Sequence, residues 1–289
     1  MKNGVSRGFS ITIYLPMGDP EGFRIVSKSH WTGKGLVIPR SQFPDVKGEP
    51  ILKAAGVYVL VGPVEERELP TLYIGEGDPV LERLQSHYSQ KDFWTWAVAF
   101  VSSDRTINKA HVEYLEARLI ELAKQAKRCV LDNQNSPTAP TLSEPERADA
   151  ESFLADMLSI YPILGITAFE KPIAVVSTAS AMLMLSAKGL KAKGYEAGAE
   201  FVVKQGSQAA LVEVPSIHQY MSTLRKDLVD NGVLVLKNDA HVFTQDYPFG
   251  SPSTAAGVIL GRTANGRVEW KDANGRTLKE RQESELHTS

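Results

Sequence analysis

Two short apolar runs, Gly56-Val57-Tyr58-Val59-Leu60-Val61 and Thr71-Leu72-Tyr73-Ile74-Gly75, flank one polar loop carrying Glu65, Glu66, Arg67 and Glu68. Their β-branched and aromatic make-up is that of buried strands, so the pair reads as neighbours in one sheet. Tyr58 and Tyr73 occupy the same setting within their runs, and paired strands would bring both phenols to one face. The period then changes. Pro79 to Tyr88 is helical in pattern, with Val80, Leu81 and Leu84 as its apolar side, and Phe93 to Val101 is a third strand. Asn108 is placed as the N-cap of a long helix reaching about Ala126. Residues 49–135 therefore read as an α+β module, a three-stranded sheet with flanking helices.

The rest of the chain divides around this module. Phe9 to Leu15 alternates apolar and polar, Gly35 to Ile38 is a short apolar run, and Pro16, Gly18, Asp19, Pro20 and Gly22 are turn chemistry between them. Residues 1–48 are expected to form a small antiparallel β unit. Residues 136–175 read as a helical connection packing on the module, with a helix over Glu146 to Ile160. Residues 176–281 read as a C-terminal α+β domain. It holds a helix near Ala179–Lys191, a strand Glu200–Lys204, a helix Ser216–Asp230, a strand Val233–Leu236 and a Ser251-capped helix over Ala255–Leu260. Asn274-Gly275 signals a hairpin between Val268–Trp270 and Arg276–Leu278. Residues 282–289 are expected to be a flexible tail. The fold class is α+β and multidomain, and a fragment of about residues 49–175 is expected to fold alone.

Composition narrows the function classes. Of 289 residues, 43% are hydrophobic and 23% charged, too apolar for a disordered chain. No run approaches the ~18 apolar residues of a membrane span, and no secretory leader is read, so a cytoplasmic protein is expected. The single cysteine, Cys129, rules out an internal disulfide framework and a multi-cysteine zinc site. The net charge of −2 argues against binding by bulk positive charge. The charge is unevenly spread: residues 136–185 hold 2 basic and 6 acidic side chains, whereas 1–50 hold 7 and 4 and 186–281 hold 13 and 10.

Several residues stand out chemically. Arg83 and His87 are four apart and share one helix face. Glu116 falls among Val112, Leu119, Ile120 and Ala123 on the helical wheel, where a carboxylate needs a cation, an arginine or a strong donor opposite. A core salt bridge with Arg83 and a metal-ligand role both satisfy that need.

Gly56-Val57-Tyr58 and Tyr73-Ile74-Gly75, followed by Arg83-Leu-Gln-Ser-His87, Glu116 and Asn133, resemble the GIY-YIG nuclease motif, with Val for Ile in the first half. The resemblance covers about residues 51–135. It implies a metal-dependent endonuclease hydrolysing phosphodiester bonds, DNA favoured over RNA. Catalytic roles would fall on Tyr58, Tyr73, Arg83, His87 and Glu116, and substrate binding on Gly75 and Asn133. Glu116 would hold one divalent metal, Mg²⁺ or Mn²⁺, Arg83 would neutralise the phosphate, and Tyr58 would be the general base, with Tyr73 and His87 orienting the water and Tyr58, and His87 able to share the base role. Glu76 stands where some members carry a lysine. Gly206-Ser207, Phe249 to Ala256 and Gly266 to Trp270 resemble an uncharacterised domain often found C-terminal to such nucleases; Lys188, Lys191, Lys193 and Lys204 there would suit phosphate contacts. The alternative is a nucleic-acid-binding or protein-interaction protein that keeps the fold without the activity, with a protein partner for the C-terminal domain.

Overall fold

A computed structural model describes residues 8–63, 69–104, 106–170 and 182–287. Expectations for the 65–68 loop, for residues 179–181 and for the last two residues lie outside them. The chain is mixed α+β and divides into two compact units, residues 1–63 with 70–169 and residues 64–69 with 170–289.

The first unit is built on one sheet. Its strands are β1 (Ile11–Tyr14), β2 (Arg24–Lys28), β3 (Gly33–Pro39), β4 (Gly56–Val61), β5 (Thr71–Gly77), β6 (Trp96–Ser102) and β7 (Val130–Leu131), in the order β1-β2-β3-β6-β4-β5-β7. Every pairing is antiparallel except β5 with β7. The helices are α1 (Phe43–Val46), α2 (Val80–Gln90), α3 (Lys109–Ala126) and α4 (Glu144–Ile160). Alternation along the strands fills two cores. Val57, Val59, Val61, Val98 and Phe100 face Leu115, Leu119, Phe153 and Met157 of α3 and α4. Tyr58, Leu60, Leu36 and Ile38 face the other way, with Val80, Leu84 and Trp94. Each such aliphatic or aromatic side chain contributes roughly 1.5–3 kcal/mol on burial.

Two sequence expectations are corrected here. Residues 1–48 are not a separate β unit: β3 pairs with β6 along its whole length, from Gly33 opposite Ser102 to Pro39 opposite Trp96. The run Leu36-Val37-Ile38 is buried on both faces because it is an interior strand of the larger sheet. The three-stranded sheet is accordingly seven-stranded, with β2 an unforeseen member. Asn108 does cap α3, accepting from the His111 backbone N–H at 3.2 Å, and Ser143 with Glu146 closes a capping box on α4.

In the second unit β8 (Leu183–Ala187), β9 (Leu190–Ala197) and β10 (Glu200–Val203) form a sheet with β14 (Tyr247–Phe249), in the order β14-β10-β9-β8. A smaller sheet joins β11 (Gln208–Ala209), β12 (Leu234–Lys237) and β13 (Ala240–Phe243). The helices are α5 (Gln219–Asp230), α6 (Pro252–Leu260), α7 (Gly266–Glu269) and α8 (Leu278–His287). Ser251 accepts from the Thr254 N–H at 3.1 Å to start α6, whose residues Thr254–Leu260 are all buried. The helix expected near Ala179–Lys191 is instead the β8–β9 hairpin, turned by Lys188-Gly189 at positive φ, 50° and 83°. Turn chemistry outweighed the apolar spacing. The expected 268–278 hairpin is also absent: 266–269 form α7, and only the bridge Lys271–Thr277 remains around the Gly275 turn. Trp270 is a core residue, its Nε1 donating to the Pro252 carbonyl at 3.0 Å. The expected tail continues α8 as far as His287.

Candidate functional site

The polar cluster lies in the first unit, where β4, β5 and the helices α2 and α3 meet. β4 and β5 pair antiparallel, with Leu60 opposite Tyr73 and Tyr58 opposite Gly75. Side chains directly opposite share a face, so both tyrosines project toward α2. Their rings lie 6.4 Å apart, and both approach His87, at 5.7 Å for Tyr58 and 4.8 Å for Tyr73.

Tyr58 is fully buried, and its hydroxyl is 2.7 Å from His87 Nε2. Burial, then Lys91 and Arg83 nearby, hold the imidazole down at about 4, with Arg83 the larger of the two charges. His87 is therefore neutral at pH 7, its Nε2 sharing this hydrogen bond with the phenol. Its Nδ1 is buried without a hydrogen-bond partner among the described residues. Burial, followed by the neighbouring Tyr73, pushes the Tyr58 phenol well above its usual range, while Arg83 pulls the other way. Arg83 itself is exposed, its guanidinium reaching from α2 toward the phenol.

Glu116 extends from α3, at the margin of the buried stripe Val112, Leu115, Leu119 and Ile120. It is half-buried and makes no hydrogen bond or ion pair with any described residue, so the core salt bridge with Arg83 is not formed. Burial and then Glu76 raise its carboxyl to about 7 against the weaker pull of Arg83 and Lys109. Glu116 and Tyr73 line a cavity of about 460 Å³ with Lys91, Asp132, Asn133, Gln134, Asn135 and Pro137.

Two residues expected to contact substrate also have structural work. Both functional ends of the Asn133 amide are engaged with the β5 backbone: its Oδ1 accepts from Ile74 N–H at 2.9 Å, and its Nδ2 donates to Ile74 C=O at 2.8 Å. Gly75 leaves room for Tyr58, whose hydroxyl would be 2.4 Å from a Cβ at that position. Glu76 is answered by a residue the sequence reading missed: Lys109 Nζ lies 2.5 and 2.6 Å from its two carboxylate oxygens. Lys91 was missed too. It is the C-cap of α2, four residues after His87, a spacing legible in the sequence; its ammonium is 4.4 Å over the Tyr73 ring and 2.5 Å from Asp132.

The donor set suits a hard cation. Glu116 offers free carboxylate oxygens, and among the described residues no cluster of three His, Cys, Asp or Glu side chains could enclose a metal. An ion held there would keep most of its shell as water or substrate oxygen, the habit of Mg²⁺. Cys129, buried and pushed up to about 12, is no nucleophile.

Residues 183–282 match a protein family described as a domain of unknown function, DUF4357. No curated protein and no solved structure matches the chain. No helix among the described residues is long and apolar enough to cross a membrane.

Proposed function

We propose that the first unit is a metal-dependent endonuclease of the GIY-YIG type, acting on the phosphodiester bonds of nucleic acid, with DNA favoured. The observation that carries the reading is Glu116: a half-buried carboxylate without a partner among the described residues, facing the same cavity as Tyr73 and close enough to Arg83 for their charges to interact. An unpaired carboxylate in such a place is costly for stability and chemically apt for a cation.

Glu116 would hold one Mg²⁺ or Mn²⁺, which supplies Lewis-acid stabilisation of charge on the phosphate and the leaving oxygen. Arg83, exposed on α2, neutralises the non-bridging oxygens. Tyr58 is the general base of this reading, its hydroxyl held by the 2.7 Å hydrogen bond to His87 Nε2. Tyr73, edge-on to His87 under the Lys91 ammonium, holds the imidazole in place.

The test is incubation of the full chain with supercoiled plasmid, branched DNA and structured RNA, with and without Mg²⁺ or Mn²⁺, beside Glu116→Ala and Tyr58→Phe. Metal-dependent cleavage lost in both variants, with unchanged circular dichroism, is the expected result. Cleavage undiminished in Glu116→Ala removes the metal assignment, and binding without cleavage under every condition favours the non-catalytic alternative.

A further inference from the structure

The β8–β9 hairpin of the second unit carries three lysines along one strand and its turn. Lys188 is at the tip, and Lys191 and Lys193 project from β9 on the exposed face. The two strand lysines line a cavity of about 220 Å³ with Gln205, Gly206 and Ser207. Their surroundings are held firmly. The Lys193 backbone N–H donates to Ser207 Oγ at 3.0 Å, that hydroxyl donates to the Lys193 carbonyl at 3.2 Å, and the Lys191 N–H donates to Gln208 Oε1 at 3.1 Å. Gln205 N–H is taken by Asp246 at 2.9 Å. The backbone groups around the cavity are thus committed, while the ammonium groups are not.

Several other cations of the unit are already paired with carboxylates. Lys204 is paired with Asp246, Arg225 with Glu213, Arg262 with Glu269, Arg276 with Asp272 and Lys279 with Glu283. No described carboxylate lies within ion-pair distance of Lys188, Lys191 or Lys193. Lys188 adds a second observation. It occupies the first left-handed position of a two-residue hairpin turn, where Asn or Asp before Gly is the favoured chemistry. A lysine held at φ 50° exchanges backbone ease for a cation at the tip.

The spacing says what kind of anion would fit. At ~3.3 Å per residue Lys191 and Lys193 stand about 7 Å apart along β9, and with Lys188 in the turn just beyond the Ala187–Leu190 pair the three cations extend over roughly 10–13 Å, longer than one phosphate group and suited to a run of them. We propose that the outer face of the β8–β9 hairpin is a nucleic-acid backbone site, Lys188, Lys191 and Lys193 contacting successive phosphates of one strand. Its occupant is non-specific in sequence, because the site offers ammonium groups and no base-reading edge. The inference rests on the nuclease reading only for the choice of nucleic acid as the polyanion.

The experiment uses the full chain in EDTA, so that binding is separated from cleavage. Fluorescence anisotropy with a labelled duplex and a labelled single strand, over a range of salt, compares the native chain with K188Q/K191Q/K193Q and with K279Q as a surface control. All three are checked for unchanged melting temperature. The triple variant should bind at least tenfold more weakly, its log K against log salt slope shallower by about 2–3 units on duplex; K279Q should match the native chain. Equal affinity and slope in the triple variant overturns the site, as does a native chain that binds neither probe. The nuclease reading is judged apart, by Mg²⁺-dependent cleavage. A binding loss in the triple variant with no cleavage by the native chain upholds this site and sinks that reading; cleavage with an unmoved salt slope does the reverse.

Discussion

The phenol of Tyr58 crosses its cross-strand partner Gly75 so closely that a Cβ there would stand 2.4 Å from the hydroxyl oxygen and 2.5 Å from the ring carbon bearing it. Since Tyr58 is itself fully buried, the ring has nowhere to retreat. Gly75→Ala should therefore destabilise the chain by about 1–3 kcal/mol through overpacking and pull the hydroxyl off His87. Denaturant melts check the first effect. The second would appear as cleavage falling by roughly 10²-fold or more with little change in nucleic-acid affinity.

Glu116 makes stability depend on pH in an unusual sense. Its folded-state carboxyl sits at about 7, above its ordinary 4.5. Below the ordinary value both states are protonated and nothing is lost. As pH rises toward about 7 the unfolded state ionises first, and stability declines; above that the full cost is present. Without metal, Glu116→Gln should be more stable than the native chain at pH 8 by on the order of 1–2 kcal/mol, after discounting for partial exposure, and equal to it near pH 4. Thermal melts across pH test this. A variant less stable at pH 8 would contradict it.

The same carboxyl couples metal to protons. A cation binds the ionised form, so Mn²⁺ affinity should weaken by about tenfold per pH unit below about 7 and level off above it. Titration calorimetry in buffers of different ionisation enthalpy should register proton release at pH 6 and almost none at pH 8. A pH-independent affinity would place the ion elsewhere.

Lys109 bridges the two oxygens of Glu76 and lies 3.5 Å from Glu113. Lys109→Met should leave Glu76 bare beside the site and weaken nucleic-acid binding several-fold. Glu76→Gln in the same chain should restore most of it. Binding measured for both single variants and the double variant gives the coupling directly, and additive effects would mean that the pair does not screen the site.

The smallest fragment carrying the site must begin near Ile11. Cutting at residue 49 removes β3 and leaves the β6 edge unpaired from Trp96 to Ser102. A fragment of residues 8–170 should give a cooperative melt, whereas 49–175 should aggregate or remain unfolded, as read by circular dichroism and gel filtration.

Local sequence determined the elements that carry the candidate site. The Tyr58 and Tyr73 runs, the i, i+4 pair Arg83 and His87, the Asn108 cap and the isolated Glu116 on α3 are each set by periodicity or capping within a few residues. Tertiary structure decided what depends on distant neighbours. A buried run such as Leu36-Val37-Ile38 looks alike in a small β unit and in the middle of a large sheet, because period-two alternation vanishes wherever both faces are covered. The roles of Gly75 and Asn133 were equally out of reach, since one answers a ring on the next strand and the other a backbone 59 positions away. The Glu76–Lys109 pair spans 33 positions. Charge can be counted along a chain, but which charges cancel is settled only when folding brings side chains within a few ångströms of each other.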